Sequence, residues 1–209
     1  GEKAVKPGDD TACNLILEIA ANCNNSSLEK KADSYEIIGD PTEGALLVMA
    51  AKAGLKPAYK RLKEIPFDSD RKLMSVIIDK NGEHILLVKG ALEIITALCS
   101  QVLEKGRVTV LQPRHQNYLN DIQEEWAAGA LRVLGFAYKK INPRDWQQLN
   151  HEDLEKNLTF VGLCGMIDPP RAGVKDSVDE CLRAGIIPLM ITGDHPVTAR
   201  AIAAEIGIA

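Results

Sequence analysis

Four short runs hold residues whose types and spacing could do chemistry: Gly39-Asp40-Pro41-Thr42-Glu43-Gly44-Ala45, Phe67-Asp68-Ser69-Asp70-Arg71-Lys72-Leu73-Met74-Ser75, Val88-Lys89-Gly90-Ala91 and Leu131-Arg132. Two more follow, Asp168-Pro169-Pro170-Arg171 and Thr192-Gly193-Asp194. Lys89 closes an apolar stretch at 85–88, which suits a charge held at a cavity mouth; a strand-end lysine snorkelling to water is the plainer alternative. Gly90 permits close backbone approach. Arg132 stands among Leu131, Val133, Leu134 and Phe136, so its guanidinium needs a partner or a groove; phosphate oxygens or a carboxylate would serve. Glu43 lies three residues after Asp40, a capping-box spacing in which the carboxylate bonds back to the helix start. An isolated Phe67 would be a core residue by default, but Pro66 before it and charges after it mark a strand end. Asp194 can cap a helix before Pro196.

The elements that must position these residues are legible in part. Apolar residues at Ala12, Leu15, Ile16, Ile19, Ala20 and Cys23 have helical spacing. Residues 24–33 read as a polar loop and 35–38 as a short strand. A helix from Asp40-Pro41 to about Ala53 is closed by Gly54. Strands at 73–79 and 83–89 flank Asn81-Gly82, a strong hairpin signal. Glu104-Lys105-Gly106 turns a second hairpin. Residues 113–129 read as a helix, and 132–139 and 158–166 as strands. The hairpins predict an antiparallel sheet with helices on it. From Asp168 the grammar changes to helix, buried strand at 186–191, glycine turn and helix, as in a doubly wound parallel sheet. Thr192-Gly193-Asp194 then falls at the carboxyl end of a parallel strand, where such sheets bind ligands.

A net charge of −4 argues against a broad nucleic-acid-binding surface. No apolar run approaches bilayer-spanning length, so the chain as given is not expected to insert into a membrane. The five cysteines are odd in number, form no C-x-x-C and sit in apolar segments, which suits small buried thiols in a reducing compartment. The histidines (84, 115, 151 and 195) are too scattered for a zinc site, and no metal site is expected.

The order and spacing of the six runs resemble the P-type ATPases, cation pumps that form an aspartyl-phosphate, and most closely the calcium-pump-like and sodium/potassium-pump-like branch. The resemblance covers nearly the whole chain. It implies an α/β protein: an α+β nucleotide-binding domain at 1–167, built as an antiparallel sheet with flanking helices, then a hinge and an incomplete haloacid-dehalogenase-like parallel segment of the phosphorylation domain at 168–209. It implies that Phe67 stacks on the adenine of ATP, an interaction of roughly 1–3 kcal/mol per base. By the same resemblance Lys89 and Gly90 line the adenine pocket, Glu43 reads the adenine edge and Arg132 reaches the phosphates. Thr192, Gly193 and Asp194 approach the transferring phosphoryl group in the intact pump, and Asp168 and Arg171 form the hinge. Two departures stand out: Leu92 replaces the proline of the frequent KGAPE segment, and Ser69 replaces an arginine common in calcium pumps, leaving Arg71 or Arg132 as substitutes.

The family's acceptor segment, D-K-T-G-T, and its magnesium-holding G-D-G-x-N-D segment do not occur in this sequence. The resemblance places them before residue 1 and after residue 209, so no catalytic residue is assigned, Mg²⁺ is expected only in the intact protein, and the chain is not expected to turn over ATP alone. The expected partners are ATP and the phosphorylation, actuator and transmembrane parts of a pump, at the cytoplasmic face of a membrane, with calcium the preferred ion. Two alternatives are a soluble haloacid-dehalogenase-like phosphatase with a large cap and a non-catalytic interaction module.

Overall fold

Asp10 starts the first helix by accepting the amide of Cys13 at 2.8 Å, and α1 (Thr11–Asn22) follows. This computed structural model describes residues 8, 10–31, 35–129, 131–144, 146–167, 170–171, 173–192 and 196–208. After α1 the chain forms β1 (Ser27–Lys30) and β2 (Tyr35–Ile38), an antiparallel pair with Ser27 opposite Ile38. The expected loop at 24–33 therefore contains a strand. Its polar, largely exposed sequence shows no alternation, and it forms because β2 pairs with it. Next, α2 (Pro41–Lys52) begins as expected, with Asp40 accepting the amide of Glu43 at 3.1 Å and Pro41 in the first turn. Gly44 lets this helix sit on the hairpin: a Cβ there would fall 2.2 Å from the Ile37 side chain.

The main sheet is built from β3 (Lys60–Asp68), β4 (Leu73–Lys80), β5 (Glu83–Ala91), β6 (Cys99–Glu104), β7 (Arg107–Val110), β8 (Arg132–Ile141) and β9 (Leu158–Met166). Short helices α3 (Leu92–Leu98) and α5 (His151–Leu154) and the longer α4 (Pro113–Ala128) lie between strands. The strand order is β3-β4-β5-β8-β9-β6-β7. Asn81 and Gly82 both have positive φ (56° and 87°), as a primed two-residue turn requires, and this fixes Lys80 opposite Glu83 and Leu73 opposite Gly90. Lys105 and Gly106 repeat the device between β6 and β7. The β6–β9 pair is parallel, so the sheet is mixed rather than purely antiparallel. That pair spans a long connection, which no local turn signal reports.

Each face of this sheet buries a different layer. Met74, Val76, Ile78, Leu87 and Phe136 share the face toward α1 and α2, and the Cys23 thiol at the end of α1 donates to the Met74 carbonyl at 3.6 Å. Ser75, Ile77, Leu86, Val88 and Ala137 share the opposite face, where Leu92 and Ile95 of α3 pack close to Gly135. Both faces are covered, so β4 and β5 read as continuous apolar runs.

The chain divides into two compact units, one of residues 1–116 and 134–164, the other of 117–133 and 165–209. In the second unit Trp126 and Leu131 pack against Gly165, where a Cβ would fall 2.7 Å from Leu131. Helices α6 (Val174–Arg183) and α7 (Pro196–Ile206) pack together, burying Val178, Ala203 and Ile206. The strand expected at 186–191 is not formed. Those residues are irregular, and Leu189 and Ile191 are 84% and 96% exposed. A parallel strand exists only through ladder bonds to neighbours, and among the described residues nothing pairs with this run.

Gly90→Ala should destabilise the chain by roughly 1–3 kcal/mol in urea unfolding, because the new Cβ would lie 2.5 Å from the Lys72 carbonyl oxygen and 2.7 Å from Leu73. Wild-type stability in that variant would contradict the packing at this site. Burial pushes the Cys23 thiol up to about 12. Alkylation at pH 8 should therefore label Cys23 only after denaturation; labelling at the rate of an exposed thiol would contradict its burial.

Candidate functional site

Lys89 is 5% exposed, near the end of β5, with Met74 of β4 and Phe136 of β8 as its ladder neighbours. A charge in such a place requires a partner. Its Nζ donates to Oε1 of Glu43 at 2.7 Å. The other Glu43 oxygen accepts the Asn25 amide at 2.9 Å. The Asp40 half of the predicted capping box forms, but the glutamate half is replaced: the carboxylate turns to Lys89 and Asn25. Helix capping thus brings the Glu43 backbone into place and leaves its side chain for the lysine.

Behind Glu43 lies a second polar layer. The Asn25 side chain bridges Arg61, at 2.6 Å, and Glu64, at 2.6 Å. Arg61 also bonds Glu64 at 2.8 Å and donates to the carbonyls of Asn22, the last residue of α1, and of Asn24 just beyond it, at 3.1 and 2.6 Å. Asn24 donates to the Glu43 carbonyl at 2.8 Å. The end of α1, the start of α2 and β3 are joined by these bonds. None of Asn24, Asn25, Arg61 and Glu64 was singled out in the sequence. The Arg61/Glu64 spacing of three was the one local signal, and in a strand it carries little weight.

Phe67 lies at the same end of the sheet. Ile65 pairs with Ser75 and Asp68 with Leu73, so Pro66 and Phe67 together oppose the single Met74. This is a β-bulge on an edge strand, where proline costs no ladder bond. Met74 is also the ladder partner of Lys89. Phe67 and Lys89 therefore flank one β4 residue, with β3 and β5 about 10 Å apart by ordinary strand spacing. Phe67 is 61% exposed, which rules out the core reading.

The turn after Phe67 is closed by Asp68, whose Oδ1 accepts the amides of Asp70 and Arg71, both at 2.9 Å; these bonds hold its carboxyl below the usual range. Arg71 is committed elsewhere: its Nη2 reaches both oxygens of buried Glu155, at 2.6 Å to Oε1, and Ser75 Oγ donates to the same Oε1 at 2.6 Å. Arg71 is thus not free to replace the arginine missing at Ser69. What approaches Gly90 closely is the start of β4 at Leu73 and the turn residue Lys72 just before it, so packing already accounts for that glycine.

Glu43, Phe67, Lys89 and Gly90 are brought together within the first unit. Arg132, exposed at the start of β8, and Thr192, also exposed, belong to the second unit, as does Arg171, which lines a shallow groove with Gly173, Val174, Ser177, Val178 and Cys181. Asp168, Gly193 and Asp194 lie outside the described residues. Among the described residues no helix is long and apolar enough to cross a membrane.

Comparison with known proteins gives this arrangement a context. Residues 12–173 match the family described as P-type ATPase, cytoplasmic domain N. Calcium-transporting ATPase 1 of Bacillus cereus is 42% identical over 200 residues, spanning 93% of this chain and 22% of that protein. Cation-transporting ATPase pma1 of Synechocystis is 43% identical over 193 residues (90% of this chain, 21% of that protein), and calcium-transporting ATPase type 2C member 2 of Mus musculus is 36% identical over 213 residues (99% and 21%). The chain therefore spans less than a quarter of the length of these relatives. With its mixed sheet, flanking helices and family match over most of its length, the chain belongs to the P-type ATPase family, in the region of the cytoplasmic N domain.

Proposed function

We propose that this chain binds ATP by stacking the adenine ring on Phe67 beside the buried Lys89–Glu43 pair. The observation that carries the reading is the conjunction of a largely exposed aromatic ring and a buried ion pair on either side of Met74. A flat apolar ring offers a base one face. The carboxylate of Glu43 and the ammonium of Lys89 offer an acceptor and a donor for the polar edge of adenine. A buried ion pair adds little net stability over an apolar pair of similar size, so ligand recognition explains it better than folding does.

In this reading the chain is the nucleotide-holding part of a cation pump at the cytoplasmic face of a membrane. The pump couples ATP hydrolysis, through an aspartyl-phosphate, to cation transport. Calcium is the preferred cation, because the Bacillus cereus and Mus musculus relatives carry calcium in their names. Residues 1–167 form the nucleotide-binding domain and 168–209 the hinge and part of the phosphorylation domain. Gly90 borders the adenine pocket and Arg132 reaches the phosphates. Thr192, Gly193 and Asp194 approach the phosphoryl group once the acceptor-bearing part is present, and Asp168 and Arg171 act at the hinge. Mg²⁺ supplies charge neutralisation at the phosphates in the whole pump; the residues of this chain hold the base. The phosphorylation, actuator and transmembrane parts are its partners.

Phe67→Ala should weaken ATP binding by roughly 1–3 kcal/mol, measured by calorimetric titration. Its unfolding free energy should change by less than about 0.5 kcal/mol, as for an exposed residue. Unchanged affinity would refute the stacking role. ATP affinity should also persist in excess chelator, since the base anchors the ligand; loss of binding on removal of Mg²⁺ would contradict that anchor.

A further inference from the structure

Glu155 is 3% exposed and 84 residues from Arg71 in sequence, yet the two are joined on the sheet face opposite the Lys89–Glu43 pair. Ser75 completes the contact from β4. The carboxylate side is held firmly: Lys139 of β8 donates to the carbonyls on either side of Glu155, Leu154 at 3.1 Å and Lys156 at 2.9 Å. Between Arg71 and Phe67 lie only three residues, and they form a closed turn. Asp68 Oδ1 accepts two amides there, and the Lys72 amide donates to the Asp68 carbonyl at 2.7 Å. Phe67 itself sits in a bulge on an edge strand, with no strand on its outer side among the described residues. Its backbone is therefore held from one end by β4 and from the other by the turn that Arg71 ties down.

We propose that Arg71 and Glu155 are positioning residues for the nucleotide site: the ion pair of half-buried Arg71 with buried Glu155 fixes the turn that sets the ring of Phe67, without touching the ligand. This rests on the reading that Phe67 stacks on the base. It separates Arg71 from a phosphate-contacting role, because a guanidinium that binds Glu155 inward acts on the base end of the ligand through Phe67. A phosphate contact would act only when phosphates are present.

The test compares ATP with adenosine in calorimetric titrations of Glu155→Gln, Arg71→Gln, Phe67→Ala and the double variant Phe67→Ala/Glu155→Gln. Glu155→Gln keeps the size of the side chain and a bond from Ser75. Each of the first two variants should raise Kd for ATP and for adenosine by the same factor, roughly threefold or more. In the Phe67→Ala background Glu155→Gln should add nothing further. Arg71→Lys, which keeps a charge opposite Glu155, is the milder variant should either glutamine variant fail to fold, and it should shift both ligands in the same direction by a smaller factor. A loss for ATP with adenosine unaffected, unchanged affinity for both ligands, or an undiminished effect of Glu155→Gln in the Phe67→Ala background would each overturn the positioning role. If Phe67→Ala alone left ATP affinity unchanged, the stacking reading would fail first, and the positioning role with it.

Discussion

A lysine ammonium buried at the end of a central strand is the constraint around which the first unit is arranged. Lys89 has fully buried Met74 and Phe136 as its ladder neighbours, so little water reaches the charge and the protein must supply a counter-ion. Glu43 is that counter-ion, and delivering it fixes a long chain of local choices. Asp40 caps α2 so that Glu43 enters in its first turn. Gly44 removes the Cβ that would keep the helix off Ile37. Asn25, Arg61 and Glu64 hold the second carboxylate oxygen and the end of α1 in register with β3.

The two faces of the sheet divide the labour. One face carries the ion pair and the helices α1 and α2. The other carries the Arg71–Glu155–Ser75 contact and α3. Phe67 belongs to neither core. The bulge at Pro66 and Phe67 interrupts pairing just where β3 reaches the level of Lys89, and bulges re-aim side chains in this way. An edge strand tolerates the interruption because it has one neighbour to satisfy. An exposed ring beside a buried ion pair is an arrangement with no evident folding benefit, and it suits the proposed role of holding a flat polar heterocycle.

Local chemistry explains which parts of this were legible in the sequence. Asn81-Gly82 and Lys105-Gly106 announce their turns because few residues accept positive φ. Asp40-Pro41 announces α2 for the same kind of reason. Glu43 was legible as a helix-start residue, but the fate of its carboxylate was not, since a partner 46 residues away outcompetes the local backbone. The parallel contact of β6 with β9 and the pairing of Arg71 with Glu155 depend on tertiary geometry and leave no periodic trace. The apolar run at 186–191 has the composition of a buried strand, yet it lies exposed and irregular. Composition sets what a strand would prefer; ladder partners decide whether it forms. The family resemblance names Phe67, Lys89 and Glu43; in the structure Phe67 and Lys89 lie on either side of Met74, and Glu43 reaches Lys89 from α2.

The central claim is that the end of the sheet bearing Phe67 and Lys89 is where ATP sits. Recording backbone amide chemical shifts while titrating ATP into the chain tests it most directly. The account predicts saturable shifts concentrated at Phe67, Lys89, Gly90 and the start of α2 around Glu43. Saturating ATP that leaves Phe67, Lys89 and Gly90 unmoved would contradict it.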